Sequence, residues 1–314
     1  MKIFLTGASG FIGSHLLGSL IGSGHEVICA VRSELQEKAM LERGAQAWPG
    51  DLFDSGTLAK GLQGVETFIH AAGCRDISSS KQVLDTQNAL LTQAVLVAAE
   101  EAGVSQFIFI GAASVVIPGP IPMMNIDETY PIINQEFLPY IRSKAQAEQM
   151  VLIARSKKMK TVVLRPTFVW GSGDSIDSLI GPAVERGQFG WFSGGRYPFS
   201  VCSVMNLCEA VEKTLAYSGT EQIFFISDRE PVDFRSFISA RLTASGYPIP
   251  KFTISRRLAW WLARFTENGW KYLPLPGRPP LVREMICLMG YPFTVSIQRA
   301  VKELGYEATQ KYSP

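Results

Sequence analysis

Histidine is scarce in this 314-residue chain. His15, His25 and His70 are the only three, and none clusters with another or with a cysteine, so the usual zinc-ligand spacings are missing and no metal site is expected. The five cysteines, Cys29, Cys74, Cys202, Cys208 and Cys287, are odd in number, widely scattered and mostly in apolar surroundings. Such cysteines read as buried, reduced thiols of a cytoplasmic protein and exclude a disulfide framework. An excess of either charge is also lacking: 30 Lys and Arg against 28 Asp and Glu leave a net +2. That balance gives no nucleic-acid footprint and no acidic tail. Long apolar runs are missing too. Phe107–Met124 contains Pro118, Pro120 and Pro122, and Leu258–Ala263 is too short to cross a bilayer, so no membrane span is expected. The first apolar run passes straight into a glycine turn, which reads as a strand and not as a signal peptide. Repeats and low-complexity stretches do not occur.

Hydrophobic residues make up 46% of the chain and charged residues 18%, enough to bury a substantial core. Up to about Arg165, strands and helices alternate, the signature of an α/β fold with a Rossmann-type, doubly wound parallel sheet. Strands are expected at Lys2–Leu5, His25–Val31, Ala45–Trp48, Glu66–Ile69, Gln106–Ile110 and Thr161–Leu164. An amphipathic helix is expected over Lys81–Gly103 and another over Pro139–Ser156. Later, the helix Asn206–Tyr217 and the strand Gln222–Ile226 rejoin the main body. The expected division is a dinucleotide-binding domain over 1–170, with 199–230 returning to it. A smaller, α-rich C-terminal substrate lobe takes 171–198 and 231–314. It includes the proline-rich stretch Pro274–Pro280.

The stretch Thr6-Gly7-Ala8-Ser9-Gly10-Phe11-Ile12-Gly13 lies between the first strand and the first helix. Unpaired backbone N–H groups and the positive end of the helix dipole make such a turn an anion site. Gly7 suits a tight turn, Gly10 lets a phosphate approach the backbone, and Gly13 lets helix and strand pack closely. Phe11 and Ile12 open the helix beside the ligand. These residues point to a dinucleotide.

The end of the second strand bears on which dinucleotide. An acid there would hold the ribose hydroxyls and repel a 2′-phosphate, whereas arginine pairs with that phosphate. The chain reads Cys29-Ala30-Val31-Arg32-Ser33, so Arg32 and Ser33 favour NADP over NAD, unless Arg32 is only a solvated strand end. Asp51 and Leu52, at the next strand end, are placed for the adenine; Asp51 could equally cap the following turn. Ala71 and Ala72 are small where the backbone must pass close to the ribose and pyrophosphate.

Tyr140 and Lys144, four residues apart on an expected helix, emerge on one face. A phenol near its reference pKa of ~10 is a poor base at neutral pH. A neighbouring ammonium, with the positive ring of an oxidised cofactor, would lower that pKa. Tyr140 could then exchange a proton with a substrate hydroxyl as general acid/base.

With this pair the sequence resembles the extended short-chain dehydrogenase/reductase superfamily, the NAD(P)-dependent epimerase/dehydratase group. The matching residues are the glycine turn, Asp51-Leu52, His70-Ala71-Ala72, Asn88, Tyr140-x-x-x-Lys144, Arg165-Pro166-x-x-x-Trp170-Gly171 and Val204-Met205-Asn206-Leu207. The phrases Phe225-Ile226-Ser227-Asp228, Phe234-Arg235-Ser236-Phe237 and Glu303-Leu304-Gly305-Tyr306 look most like its 3β-hydroxysteroid dehydrogenase-like branch. Lys144 could itself hold the nicotinamide ribose, and the resemblance implies that Pro166 lies by the nicotinamide. It also implies that Asn88 orders the active-site helix or a water near Lys144, and that the protein is a homodimer through two helices per subunit. One departure stands out: alanine, Ala112, occupies the position where the family commonly has a hydroxyl. Either Ser114 takes over that role or Tyr140 holds the substrate oxygen alone.

The substrate is expected between the strand ends and the C-terminal lobe. Val115, Phe168, Trp170 and Trp191 are lining candidates, unless these aromatics are the core of the small lobe. Their density suits an apolar or ring-bearing small molecule. The reading is an NADP-dependent oxidoreductase interconverting a secondary alcohol and a ketone or aldehyde. The alternatives are a nucleotide-sugar epimerase/dehydratase, against which the displaced Arg196 argues, and a non-catalytic NADP-sensing or assembly protein.

Overall fold

Ile3 and Leu5 point to one face of the first strand and Phe4 to the other, and all three are fully buried. A strand apolar on both faces belongs inside a sheet covered by helices on each side. The computed structural model, which describes residues 1–154, 159–273 and 279–312, places it there. β1 (Lys2–Thr6), β2 (Glu26–Ala30), β3 (Gln46–Trp48), β4 (Thr67–His70) and β5 (Gln106–Ile110) form a seven-stranded sheet with Lys160–Pro166 and Ile223–Ile226. Every pairing is parallel, in the order Ile223–Ile226, Lys160–Pro166, β5, β4, β1, β2, β3. The strand order reverses between β1 and β4, so the chain leaves their carboxyl ends in opposite directions and opens a crevice there.

Helices Phe11–Gly22 and Val204–Leu215 pack on the face of Ile3 and Leu5, through Leu16, Leu17, Leu207 and Val211. Leu91–Glu101 and Pro139–Ile153 cover the other face, where Phe4, Phe68 and Phe107 stack in a row. The expected helix Lys81–Gly103 is continuous from Lys81 to Glu101 but contains a π-helical turn, Asp85–Leu90. Such turns shift the side-chain register locally and recur at functional sites. The helix expected to reach Ser156 runs over Pro139–Ile153; residues 155–158 lie outside the described residues, as does most of the proline-rich stretch.

The C-terminal lobe contains the helices Phe234–Ala244, Arg256–Tyr272 and Arg283–Met289. It also contains a four-stranded sheet, ordered Val232–Asp233, Pro198–Phe199, Phe293–Val295 and Met123–Ile126. That sheet is a difference from the expected helical lobe. Its strands are two to four residues long, too short to show an alternating pattern in sequence. Met123–Ile126 comes from the loop between β5 and the helix bearing Tyr140. The lobe is thereby tied into the segment that carries the expected chemistry.

Candidate active site

Gly7 adopts φ +77°, and a Cβ there would lie 2.7 Å from the backbone of Ala71 and Ala72. A Cβ on Gly13 would lie 2.0 Å from the Gly7 carbonyl oxygen. The turn thus keeps β1, the first helix and the loop after β4 in mutual contact. Gly10 precedes the 12-residue helix Phe11–Gly22, whose N-terminus has no capping side chain and no acid in its first turn. Its first N–H groups are therefore available to an anion.

A cleft of about 680 Å³ opens over this turn, walled by Gly7, Gly10, Arg32, Asp51, Leu52 and Ala72. Ser33 and Ala71 are also on its walls. Phe11, Ile12 and Gly13 are not: the Phe11 ring packs edge-on against His15, and Ile12 packs into the core. Asp51 does cap a turn, accepting from the Phe53 N–H at 2.9 Å, while remaining on the cleft wall. Gln36 ties the cleft together. It accepts from the Arg32 N–H through its side chain and donates to Ser9 Oγ, and its own N–H is capped by Ser33. Among the described residues, none pairs with the Arg32 guanidinium. A cradle that a Cβ would fill, beside an uncapped helix N-terminus, fits a dinucleotide.

The register Thr6↔His70 at the carboxyl ends of β1 and β4 creates a relay that the sequence reading did not anticipate. Thr92 Oγ donates to the Asn88 carbonyl at 2.6 Å, so its lone pairs accept from His70 Nε2–H at 3.0 Å. His70 Nδ1 then accepts from the Thr6 hydroxyl at 2.7 Å, and Thr6 Oγ accepts from the Ala72 N–H. His70 is fully buried, and burial, with Lys144 nearby, pushes its pKa down to about 3. It stays neutral, with its tautomer set by the two threonines. This relay anchors the Ala71-Ala72 loop to the π-helical turn.

Asn88 projects from that turn and is buried. Its amide donates to Ser143 Oγ at 2.9 Å and to the Cys74 carbonyl, and its oxygen accepts from the Cys74 N–H. Ser143 in turn donates to the Tyr140 carbonyl. Asn88 therefore joins the loop after β4 to the helix that carries Tyr140.

Tyr140 and Ser114 share the wall of a second cavity, of about 630 Å³, with Ala112 and Pro166. The loop after β4 contributes to both cavities, with Gly73 on the wall of the first and Arg75 on that of the second. Burial pushes the Tyr140 phenol up to about 12. The Glu284 carboxylate and Cys74 thiol add to that rise and the Arg75 guanidinium opposes it. The lowering expected from Lys144 is not found in the protein by itself. The Lys144 ammonium is buried, donates to the Ile110 carbonyl at 3.0 Å and lies over the Phe109 ring. Burial brings its own pKa down to about 8, with Glu148 opposing that fall.

Glu284, from the lobe helix Arg283–Met289, caps the start of the Tyr140 helix. Its carboxylate accepts from the Tyr140 N–H at 3.1 Å and the Ile141 N–H at 2.8 Å. Burial pushes its pKa up to about 7. The two N–H groups oppose the rise, and Glu267 adds to it. A carboxyl group with a raised folded pKa binds protons more tightly folded than unfolded, so its contribution to stability falls between about pH 4.5 and 7. We expect Glu284→Gln to cost on the order of 1 kcal/mol at pH 5 through the weakened cap. The variant should also show a smaller loss of stability from pH 5 to pH 8 than the native chain. Urea midpoints across that range read both, and an unchanged slope would remove Glu284 from this role.

Of the four lining candidates, Phe168 is on the cavity wall, packed edge-on against Phe199 and Phe237. The other three are not on that wall. Val115 is fully buried in the core. Trp191 is buried between Phe189 and Phe234, with its indole N–H on the Pro250 carbonyl. Trp170 donates to Asp228 and packs on Phe237 and Tyr312. Aromatic density in a sequence does not say which face a ring takes. The remaining walls come from Ile180, Phe199, Leu288, Met289 and Phe293, with Arg75 and Arg186 as cations.

A family model described as the 3-beta hydroxysteroid dehydrogenase/isomerase family matches residues 4–189. The chain is 33% identical over 308 residues, covering 98% of it and 92% of the relative, to a 4-hydroxy-2-methyl-3-oxo-4-farnesyl-3,4-dihydroquinoline-1-oxide ketoreductase of Stigmatella aurantiaca. It is 30% identical to a decarboxylating sterol-4-alpha-carboxylate 3-dehydrogenase of Dictyostelium discoideum, over 99% of this chain and 98% of that one. Among solved structures, a UDP-glucuronic acid 4-epimerase from Bacillus cereus in complex with NAD superposes with a TM-score of 0.72. It is 20% identical and covers 99% of this chain and 94% of its own. That likeness concerns the fold. With the glycine turn, the Tyr140/Lys144 helix and these relatives together, the chain belongs to the 3-beta hydroxysteroid dehydrogenase/isomerase family of NAD(P)-dependent oxidoreductases.

Proposed function

We propose that the protein is an NADP-dependent ketoreductase, or the reverse alcohol dehydrogenase, acting on an apolar or ring-bearing substrate. The observation that carries this reading is Tyr140, whose phenol shares with Ser114 an apolar cavity walled in part by the same loop as the dinucleotide cleft. Gly7, Gly10, Asp51, Ala71 and Ala72 would hold a dinucleotide, which when bound would supply or accept the hydride. Tyr140 then gives a proton to the carbonyl oxygen, or takes it from the alcohol. A phenol raised to about 12 is protonated throughout the neutral range, which suits it as the acid of the reductive direction. Ser114 is the hydroxyl that substitutes for Ala112 and donates to the same oxygen. Lys144, Asn88 and Ser143 hold the helix that aims the phenol. The first relative named above is itself a ketoreductase, which supports this direction.

Arg32 and Ser33 supply the phosphate preference, the guanidinium being exposed at the cleft and unpaired among the described residues. Glu34 and Glu37 share that wall, so the preference is open to direct measurement. With a panel of cyclic and long-chain ketones, NADPH should be oxidised in preference to NADH, read at the nicotinamide absorbance band. Arg32→Ala should raise the KM for NADPH about tenfold or more and leave that for NADH nearly unchanged. A native preference for NADH would assign the ribose to the acids and overturn the NADP reading. Conversion of a nucleotide sugar with no net absorbance change would favour the epimerase/dehydratase alternative.

A further inference from the structure

The helix Arg256–Tyr272 buries only its small residues Ala259 and Ala263 completely, against Phe192 and Ile286. Trp260 packs half-buried against Phe137. Its outward face is apolar. Leu258, Trp261, Leu262, Phe265 and Tyr272 are all exposed, Trp261 to 64% and Phe265 to 78%. Their spacing of i, i+3, i+4, i+7 and i+14 sets them on one side of the cylinder. Such a patch on a protein surface marks a site of contact.

Charge identifies the occupant. Arg257, Arg264 and Lys271, seven residues apart, form an exposed basic stripe along one flank of the apolar face. The Arg264 guanidinium lies 5.7 Å from the Trp261 ring, and the Lys271 ammonium lies 5.0 Å from the Tyr272 ring. The helix has one acid, Glu267, and it turns inward to pair with Arg283 at 2.6 Å. An apolar face of Trp, Phe and Leu flanked by cations, with no outward carboxylate, complements a lipid surface with anionic headgroups. An antiparallel second copy of this face would bring three cations against three cations with no acid between them. A span is also excluded, because the inner side of the helix is packed on the lobe, and no described helix is long and apolar enough to cross a membrane.

We propose that this helix lies flat on a bilayer containing anionic lipid, with Trp261 and Phe265 in the acyl boundary and Arg257, Arg264 and Lys271 among the headgroups. The chain following the helix returns through Pro279, Pro280, Met285 and Leu288 on the wall of the Tyr140 cavity. The binding does not depend on the activity proposed above, and it is read without turnover.

Flotation of the full chain with phosphatidylcholine vesicles, with and without phosphatidylglycerol, tests it. The protein should float with the anionic vesicles and much less with the neutral ones, and added salt should weaken the binding. Arg257→Gln and Arg264→Gln should each weaken it about fivefold. Trp261→Ser with Phe265→Ser should abolish it while leaving the urea midpoint and dinucleotide thermal shift unchanged. No flotation with anionic vesicles at low salt would overturn the proposal. So would flotation unaffected by the Trp261/Phe265 change, or self-association of the native chain that this change removes.

Discussion

Replacing Tyr140 by phenylalanine should lower turnover by about 10²- to 10⁴-fold with little effect on folding. Only the hydroxyl is lost. The backbone bonds of Tyr140, its N–H to Glu284 and its carbonyl to Ser143, stay as they are. The ring continues to pack at the edge of the lobe core. The effect should fall on the proton-transfer step and leave the dinucleotide thermal shift close to native. The pH dependence gives a second, independent reading. Reduction needs the protonated phenol, which persists to about pH 12 in the protein by itself. The reductive rate should therefore stay level until Lys144 loses its proton near pH 8. Oxidation needs the phenolate, so its rate should rise with pH across the same interval. A phenylalanine variant that keeps half the native single-turnover rate with NADPH and the best ketone would rule Tyr140 out as the acid.

The parts of the site that lie within one turn of each other were legible in the sequence. The glycine turn is contiguous and flanked by a strand and a helix, and Tyr140 and Lys144 are one helical turn apart, so local periodicity alone brings each set together. What depends on register or on distant packing was not legible. His70 was visible only as the neighbour of two small residues, and its bonds to Thr6 and Thr92 exist because β1 and β4 are adjacent and in step. Glu284 is 144 residues from the N–H it caps, and a single glutamate in a lobe helix has no pattern to find. Trp191 and Phe168 look alike in sequence, yet one is core and the other is cavity wall. The seven-stranded sheet was readable because most of its strands are short apolar segments, buried on both faces, that alternate with helices. The four-stranded lobe sheet was not, because it is assembled from fragments far apart in the chain.

Gly13→Ala should be the most damaging single change in the glycine turn. It should destabilise the chain by about 3 kcal/mol or more and abolish the dinucleotide thermal shift. In an ordinary helix interior, alanine gains on the order of 1 kcal/mol over glycine, so a naive expectation has the opposite sign. The geometry decides against it. The new Cβ would sit 2.0 Å from the Gly7 oxygen, 2.5 Å from its carbonyl carbon and 2.9 Å from Ala8 Cα. All three are backbone atoms, which cannot rotate aside as a side-chain tip can. Relief requires the first helix to move off β1 or the turn to open. Either motion also displaces Gly7 from its close approach to the backbone of Ala71 and Ala72, where even a Cβ would not fit, and disrupts the cradle. Gly10→Ala is the control. Its Cβ would meet one atom, the Gly7 oxygen, at 3.3 Å, so its urea midpoint should stay near native while dinucleotide affinity falls because the methyl group takes space at the cleft wall. A Gly13→Ala protein with native stability and a native dinucleotide shift would mean that helix and strand are not held together through this turn.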